Sequence, residues 1–356
     1  MTTLRGPVLI VGTGLLGTSI ALACRRAGID ALLSDLAPEH VRTASGLGAG
    51  RPVAPDDAPQ LVVVAVPPDH LGASVTRALL ETDAVVTDVG SVKTRPLGEV
   101  AAAVGAEQLV RYVGSHPMAG SERSGPLAAS AALFDGRPWA VTAHATSGVE
   151  ATALVEALAA VCGAAVVRLT PEEHDQAVAR TSHLPHLLSV LMAGQLAEAP
   201  GAHLALSGQG VRDVTRVAGS DPVLWQQIVE ANADAVLAQL GQVRVRLDDL
   251  MAAIGAGRRD DLGALLDRGV AGTLAIPGKH GGPVRATASV FVSVPDHPGE
   301  LARLFADAGA SKVNIEDVHI DHDPARDTGL VELLVAEGSA EQLATSLESR
   351  GWVTHR

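Results

Sequence analysis

The chain has 356 residues, 47% of them hydrophobic and 19% charged, with 27 Lys and Arg against 40 Asp and Glu for a formal net charge of -13. That length carries two or three domains with ample core material, and the composition excludes disorder for most of it. The acidic balance, with no local basic patch, works against a polyanionic partner such as nucleic acid.

Cys24 and Cys162 lie in apolar, Ala-rich surroundings without zinc-type spacing or the number needed for a disulfide framework, so both read as core residues in a reducing compartment. Only Arg5 precedes the apolar run Val8 to Val11, which is too short for the apolar region of a signal peptide. Leu61 to Val66 is strand-length, and Ala151 to Val167 is interrupted by Glu156, both short of about 18 uninterrupted apolar residues. A cytoplasmic protein with no membrane partner is expected.

Between residues 7 and about 145, short β-branched runs (VLIVG, ALLSD, LVVVAV, AVVTDVG, RYVGS, PWAVTA) alternate with helical segments. Such alternation predicts a doubly wound parallel sheet, and runs apolar at every position fit strands covered on both faces. A nucleotide-binding domain is placed at 1–148. From about 150 to 275 helical spacing replaces the strand signal. Thr170-Pro171-Glu172-Glu173 sets a cap, a first-turn proline and a capping-box glutamate in order, predicting a helix start. A long helix is predicted from Ser220-Asp221-Pro222. Leu240, Val243, Leu247, Leu250 and Ile254 repeat along it at alternating three and four spacing, as an intrachain core seam or a dimer interface. This all-helical domain spans 149–276. The breaker-rich linker 277–285 follows, and 286–356 reads as strand, helix, strand, strand, helix, strand, the βαββαβ order of a ferredoxin-like unit.

Gly12-Thr13-Gly14-Leu15-Leu16-Gly17 follows the first strand and opens a helix, the setting in which glycines permit a tight turn and close approach of a pyrophosphate. Asp35 ends the second strand about twenty residues on, placed to accept hydrogen bonds from ribose hydroxyls and repel a 2'-phosphate. Together they favour NAD over NADP. Ser91, in DVGSVK, and His116, in GSHPMAG, stand where strands end, on the side where an open α/β sheet binds ligands. A neutral imidazole suits the removal of a hydroxyl proton during hydride transfer, and Ser91 is placed to orient the hydroxyl or the ring.

His183 and His186 share one helical face at three-residue spacing, but no cysteine nearby completes a metal set, so no metal is expected and substrate contact or core hydrogen bonding is the reading. Glu172, Glu173, His174 and Asp175 read as a capped helix start with ion pairs. Arg212, Asp213 and Arg216 offer a guanidinium fork for a substrate carboxylate, or a solvated helix face.

GTGLLG, TDVGSVK, SHPMAGSE, EEHD, SHLPH and RDVTRVAGSDPVLW together resemble the prephenate/arogenate dehydrogenases of tyrosine biosynthesis over essentially the full chain, with a C-terminal segment similar to an ACT domain. The resemblance implies that His116 hydrogen-bonds the ring C4 hydroxyl, helped by Ser91 and Ser182, and that Arg216 binds the ring carboxylate. By the same resemblance His183 and His186 line the pocket, Trp225 closes it, and Glu122 and Asp213 form an ionic set with Arg216. It also implies a homodimer formed through the helical domain and tyrosine as effector at His297, Gly299 and Asn314. Prephenate is the expected substrate, with arogenate or an amino-substituted prephenate as alternatives. A catalytically silent NAD and amino-acid sensor is the remaining alternative of another class. A 3-hydroxyacid dehydrogenase would need a lysine on the helical domain, and none occurs between Lys93 and Lys279.

Overall fold

The computed structural model describes residues 3–120, 123–277, 286–322 and 328–355. Glu122 and the linker beyond 277 lie outside the described residues. Residues up to Ala256 form one compact unit and those from Gly257 a second.

The first unit begins as β1 (Val8–Val11), α1 (Leu15–Arg26), β2 (Ala31–Ser34), α2 (Pro38–Gly46), β3 (Arg51–Pro52), β4 (Leu61–Val64), α3 (Leu71–Glu81), β5 (Val85–Asp88), α4 (Thr94–Ala103) and α5 (Ala106–Leu109). All five strands pair in parallel in the order β3-β2-β1-β4-β5, with Val8 opposite both Ala31 and Leu61. Every residue of β4 is buried, as expected of a strand covered on both faces. The strand order reverses at β1, so the crevice beside the loop after β1 is the switch point at which such sheets take ligands.

A second sheet follows: β6 (Gly114–Pro117), β7 (Pro138–Thr142), then α6 (Val149–Val161) and β8 (Ala165–Arg168). Two differences from the sequence expectation appear here. First, β6 and β7 are antiparallel rather than members of one parallel sheet. The described residues between them hold only the 3₁₀ turn Pro126–Ala128, without the α-helix that usually carries a parallel crossover. Second, β8 is a strand inside the segment expected to be helical; it pairs in parallel with β7, after Gly163 at φ +76° has ended α6. A bridge between Val86 and Tyr112 joins the two sheets edge to edge.

The helical part comprises α7 (Pro171–Val178), the π-helical turn Ala179–His183, α8 (Leu184–Ala197), α9 (Gly201–Leu204), α10 (Gln209–Thr215), the 3₁₀ turn Arg216–Gly219, α11 (Pro222–Ala231) and α12 (Ala233–Gly255). Thr170 forms the capping box with Glu173, and Asp221 caps α11 through Val223 N. The long helix expected from Pro222 is broken at Asn232 (φ -122°, ψ 31°), whose side chain turns inward to hydrogen-bond α7 and the π turn. Of the repeating seam on α12, Leu247 and Ile254 are exposed.

The second unit contains α13 (Arg259–Leu274), β9 (Thr287–Pro295), α14 (Glu300–Ala310), β10 (Ile315–His322), β11 (Thr328–Ala336), α15 (Ala340–Glu348) and β12 (Val353–His355). Its antiparallel sheet has the order β10-β11-β9-β12, the ferredoxin-like βαββαβ arrangement, over a core that includes Val290, Val292, Leu333, Leu343 and Trp352. Among the described residues no helix is long and apolar enough to cross a membrane.

Candidate active site

The loop after β1 is built for close approach. Gly12 has φ +96°, and a Cβ there would lie 2.3 Å from Ala65 O; a Cβ on Gly17 would lie 1.9 Å from Gly12 O. A Cβ on Gly14 would meet nothing within 4 Å. Gly14 is also the N-cap of α1 and supplies no side-chain cap, so backbone N–H groups at the positive end of this helix stay available to an anion. Leu15 and Leu16 open α1, half-buried. Thr13 donates to Asp35 from its backbone N (2.6 Å) and its hydroxyl (3.0 Å), and Ala37 N donates to the other carboxylate oxygen (2.9 Å). Burial works to raise the Asp35 pKa, but these donors win and hold it below the usual carboxylate range. The charged carboxylate at the end of β2 thereby locks the glycine loop. Open space at Gly14, a bare helix N-terminus and a fixed acid together fit the pyrophosphate and ribose of a dinucleotide.

Beneath the ends of β5 and β6 lies a buried polar cluster that the sequence reading did not single out. Lys93, 1% exposed, pairs with Asp88 and donates from Nζ to Ser115 O (2.6 Å). Asp88 also accepts from Tyr112 Oη (2.8 Å) and Gly90 N (2.9 Å). Burial lowers the Lys93 pKa against the pull of Asp88, and burial with Asp88 pushes Tyr112 well above its usual value. Ser91 sits half-buried in the turn between these residues.

His116, on β6, is partly open, and its Nδ1 is 2.9 Å from His174 Nε2. His174 Nδ1 is 2.8 Å from Asp175 Oδ1. Asp175 also accepts from Lys93 N (2.8 Å) at one oxygen, and from Thr94 N (2.9 Å) and Thr94 Oγ1 at the other, so α7 caps the N-terminus of α4. Burial tends to raise Asp175, yet His174, Thr94 and Lys93 N together hold its pKa low. In the sequence His174 and Asp175 fit an ordinary capped helix start. The missed signal is their place in the stripe Pro171, His174, Asp175, Val178, the buried face of α7, where polar residues need partners in the interior.

His183 and His186 are both buried. Asn232 Nδ2 lies 2.8 Å from Asp175 O and 3.2 Å from His183 Nδ1. Trp225, half-buried on α11, stacks on His186 with centroids 3.5 Å apart and meets His183 edge-on at 6.0 Å. Pro185 stands in the first turn of α8 between the two histidines, and Ser182 is half-buried in the π turn. Burial lowers the pKa of all four imidazoles: His116 falls well below the usual value, with His174, Lys93 and His183 adding to the effect, and His183 falls to about 4. They are uncharged at neutral pH. Arg216, exposed, begins the 3₁₀ turn packed against α8, and Asp213 accepts from Gln209 Nε2 (2.8 Å).

The remaining candidates, in the second unit, are exposed. Gly299 caps α14 at φ +95°, His297 N donates to Pro295 O, and Asn314 Nδ2 donates to Glu316 (2.9 Å).

Two family patterns match the chain: prephenate dehydrogenase, nucleotide-binding domain, over residues 20–168, and prephenate dehydrogenase, dimerization domain, over residues 170–268. The chain is 37% identical over 359 residues to a protein of Streptomyces niveus named probable prephenate dehydrogenase NovF, covering 97% of this chain and 98% of that one. Among solved structures, prephenate dehydrogenase from A. aeolicus in complex with hydroxyphenyl propionate and NAD+ is similar with TM-score 0.69 and 28% identity, covering 75% of this chain and 96% of that one. Synechocystis arogenate dehydrogenase is similar with TM-score 0.67 and 26% identity, covering 75% and 98%. With a relative this similar spanning nearly the whole chain, and with two family patterns that together match most of it, the protein belongs to the prephenate dehydrogenase family.

Proposed function

We propose that the protein is an NAD-dependent dehydrogenase that converts prephenate to 4-hydroxyphenylpyruvate with loss of carbon dioxide. The observation that carries this reading is His116: an uncharged imidazole, partly open and held against His174, in a chain of this family. Gly12, Thr13, Gly14, Leu15, Leu16 and Gly17 with Asp35 would hold NAD, which when bound supplies the hydride acceptor. His116 takes the proton of the ring C4 hydroxyl, which Ser91 and Ser182 orient, as hydride departs from C4. The ring carboxylate leaves as carbon dioxide, and the aromatic ring formed makes the step irreversible. A planar guanidinium matches a substrate carboxylate through two parallel hydrogen bonds. Arg216 takes that role, and an ionic set of Arg216 with Asp213 and Glu122 belongs to the same proposal, Glu122 lying outside the described residues. Arg216 contributes by positioning the ring, because a carboxylate held too firmly would oppose its own loss. His183 and His186 line the pocket, and Trp225 closes it.

Arogenate is the second reading, supported by the Synechocystis neighbour. The helical part is proposed to form a homodimer, for which the exposed apolar residues Leu191, Met192, Leu247, Met251 and Ile254 on α8 and α12 provide the surface. The second unit is proposed to be an ACT domain that takes tyrosine at His297, Gly299 and Asn314; tyrosine titration should change activity in the full chain and not after removal of residues beyond about 285. His116→Asn tests the central assignment. Turnover should fall about 10²–10⁴-fold with NAD affinity retained, and near-normal turnover would reject it.

A further inference from the structure

The contacts of His116 determine which of its nitrogens carries a proton, provided each group is asked what it can donate. Asp175 receives four donors: Lys93 N, Thr94 N, Thr94 Oγ1 and the ring of His174. A carboxylate with this many donors is ionised and can only accept, so His174 Nδ1 bears hydrogen. In a neutral imidazole the other nitrogen is then bare, and His174 Nε2 is an acceptor. The group 2.9 Å from that acceptor is His116 Nδ1, which must therefore donate. The nitrogen left without hydrogen on His116 is Nε2.

We propose that Asp175 and His174 are positioning residues that hold His116 as its Nδ1–H tautomer, so that Nε2 is the basic nitrogen offered to the substrate hydroxyl. The opposite tautomer would place two bare nitrogens against each other at 2.9 Å and leave His116 unable to accept a proton at Nε2. When Nε2 takes the hydroxyl proton, its lone pair forms the new N–H bond and the ring becomes cationic. Nδ1–H then donates more strongly to His174 Nε2, and His174 Nδ1–H to Asp175, so the charge is balanced by a carboxylate two hydrogen bonds away. No other group gains or loses a proton. Lys93 does not compete for this carboxylate, because its Nζ is engaged by Asp88 and Ser115 O. The same residue anchors a second imidazole: Asp175 O accepts only, so the Asn232 group facing it is the NH₂, and that NH₂ also faces His183 Nδ1. His183 therefore carries its hydrogen on Nε2, the opposite of His116. One segment of α7 thus prepares one histidine as an acceptor and helps prepare another as a donor.

This inference rests on the reading of His116 as the base, and the test separates the two. The full chain is labelled with ¹⁵N-histidine, and nitrogen protonation is read by long-range ¹H–¹⁵N correlation at neutral pH, with His116→Asn assigning the His116 signals. The unmutated protein should show His116 with Nδ1 protonated and Nε2 bare. His174→Leu removes the acceptor and should move the hydrogen to Nε2, with kcat for prephenate oxidation down about 10²-fold and KM little changed. His174→Gln, whose carbonyl accepts from Nδ1–H, should keep the Nδ1–H tautomer and recover much of kcat. A His116 that is Nε2–H in the unmutated protein, or a tautomer unmoved in His174→Leu, would overturn the proposal. The expected tautomers in a protein inactive on prephenate and arogenate would leave the relay standing and reject the reading of the reaction.

Discussion

Gly14 and Gly17 stand three residues apart, at the N-cap and in the first turn of α1, yet the structure predicts opposite outcomes when each is changed to alanine. At Gly17 the added Cβ would lie 1.9 Å from Gly12 O and 3.0 Å from Ile10 Cγ2. The first clash is with backbone, so relief requires α1 to retreat from β1 by more than an ångström. Overpacking of this kind costs typically 1–3 kcal/mol and sometimes more, against a helix-propensity gain of about 1 kcal/mol for replacing glycine. At Gly14 the backbone is ordinary, φ -73°, and the added methyl meets nothing within 4 Å. The fold should lose no more than about 1 kcal/mol, the scale for a poorer cap. The methyl nevertheless enters the space over the helix N-terminus into which a pyrophosphate must come, and NAD affinity should fall at least about tenfold, or ~1.4 kcal/mol. Urea unfolding and calorimetric NAD titration of both variants separate the effects. Unchanged NAD affinity in Gly14→Ala, or unchanged stability in Gly17→Ala, would refute the reasoning.

Acid should destabilise the fold through its buried imidazoles. His183 has a pKa of about 4 when folded against about 6.5 unfolded. Stability from this residue is therefore complete above about pH 6.5 and is lost as pH falls towards 4, by about 3 kcal/mol in all. His116, His174 and His186 shift in the same direction; urea midpoints constant from pH 7 to 4.5 would contradict this. Lys93→Met leaves Asp88 buried without its cation and should cost about 3–5 kcal/mol, with the double variant Lys93→Met/Asp88→Asn recovering part of the loss; a single variant within 1 kcal/mol of the parent would show that the pair is not held as described. Arg216→Ala should raise KM for prephenate with NAD affinity unchanged, and an unaltered KM would remove Arg216 from the pocket.

Much of this architecture was legible in the sequence. Val8 to Val11, GTGLLG and Asp35 announced the first β-turn-α unit, because glycine and proton-accepting groups occur there at spacings set by backbone geometry. The Thr170 capping box was readable for the same reason, being a local interaction. The antiparallel pairing of β7 with β6 was not, since pairing direction depends on the connection as a whole rather than on the strand residues. Strand β8 lies in an alanine-rich run whose local stop signal is the single residue Gly163, too little to set a strand apart from a continuing helix. The break at Asn232 has only a weak local signature, because its cause is two long-range partners, Asp175 O and His183 Nδ1. At the site, His116, His183 and His186 were identified as candidates, whereas the Asp175–His174 support was not. Charged residues on a capped first turn look solvated until their helical stripe is checked against the core it faces.

Oxidative decarboxylation of prephenate is the activity to measure first. Purified protein should be mixed with NAD and either prephenate or arogenate, with NADH formation and carbon dioxide release followed together. Rapid NADH with one carbon dioxide per turnover from prephenate, and little from arogenate, is the predicted result. Preference for arogenate would contradict the choice of the keto acid, and silence with both despite NAD binding would contradict the reaction itself.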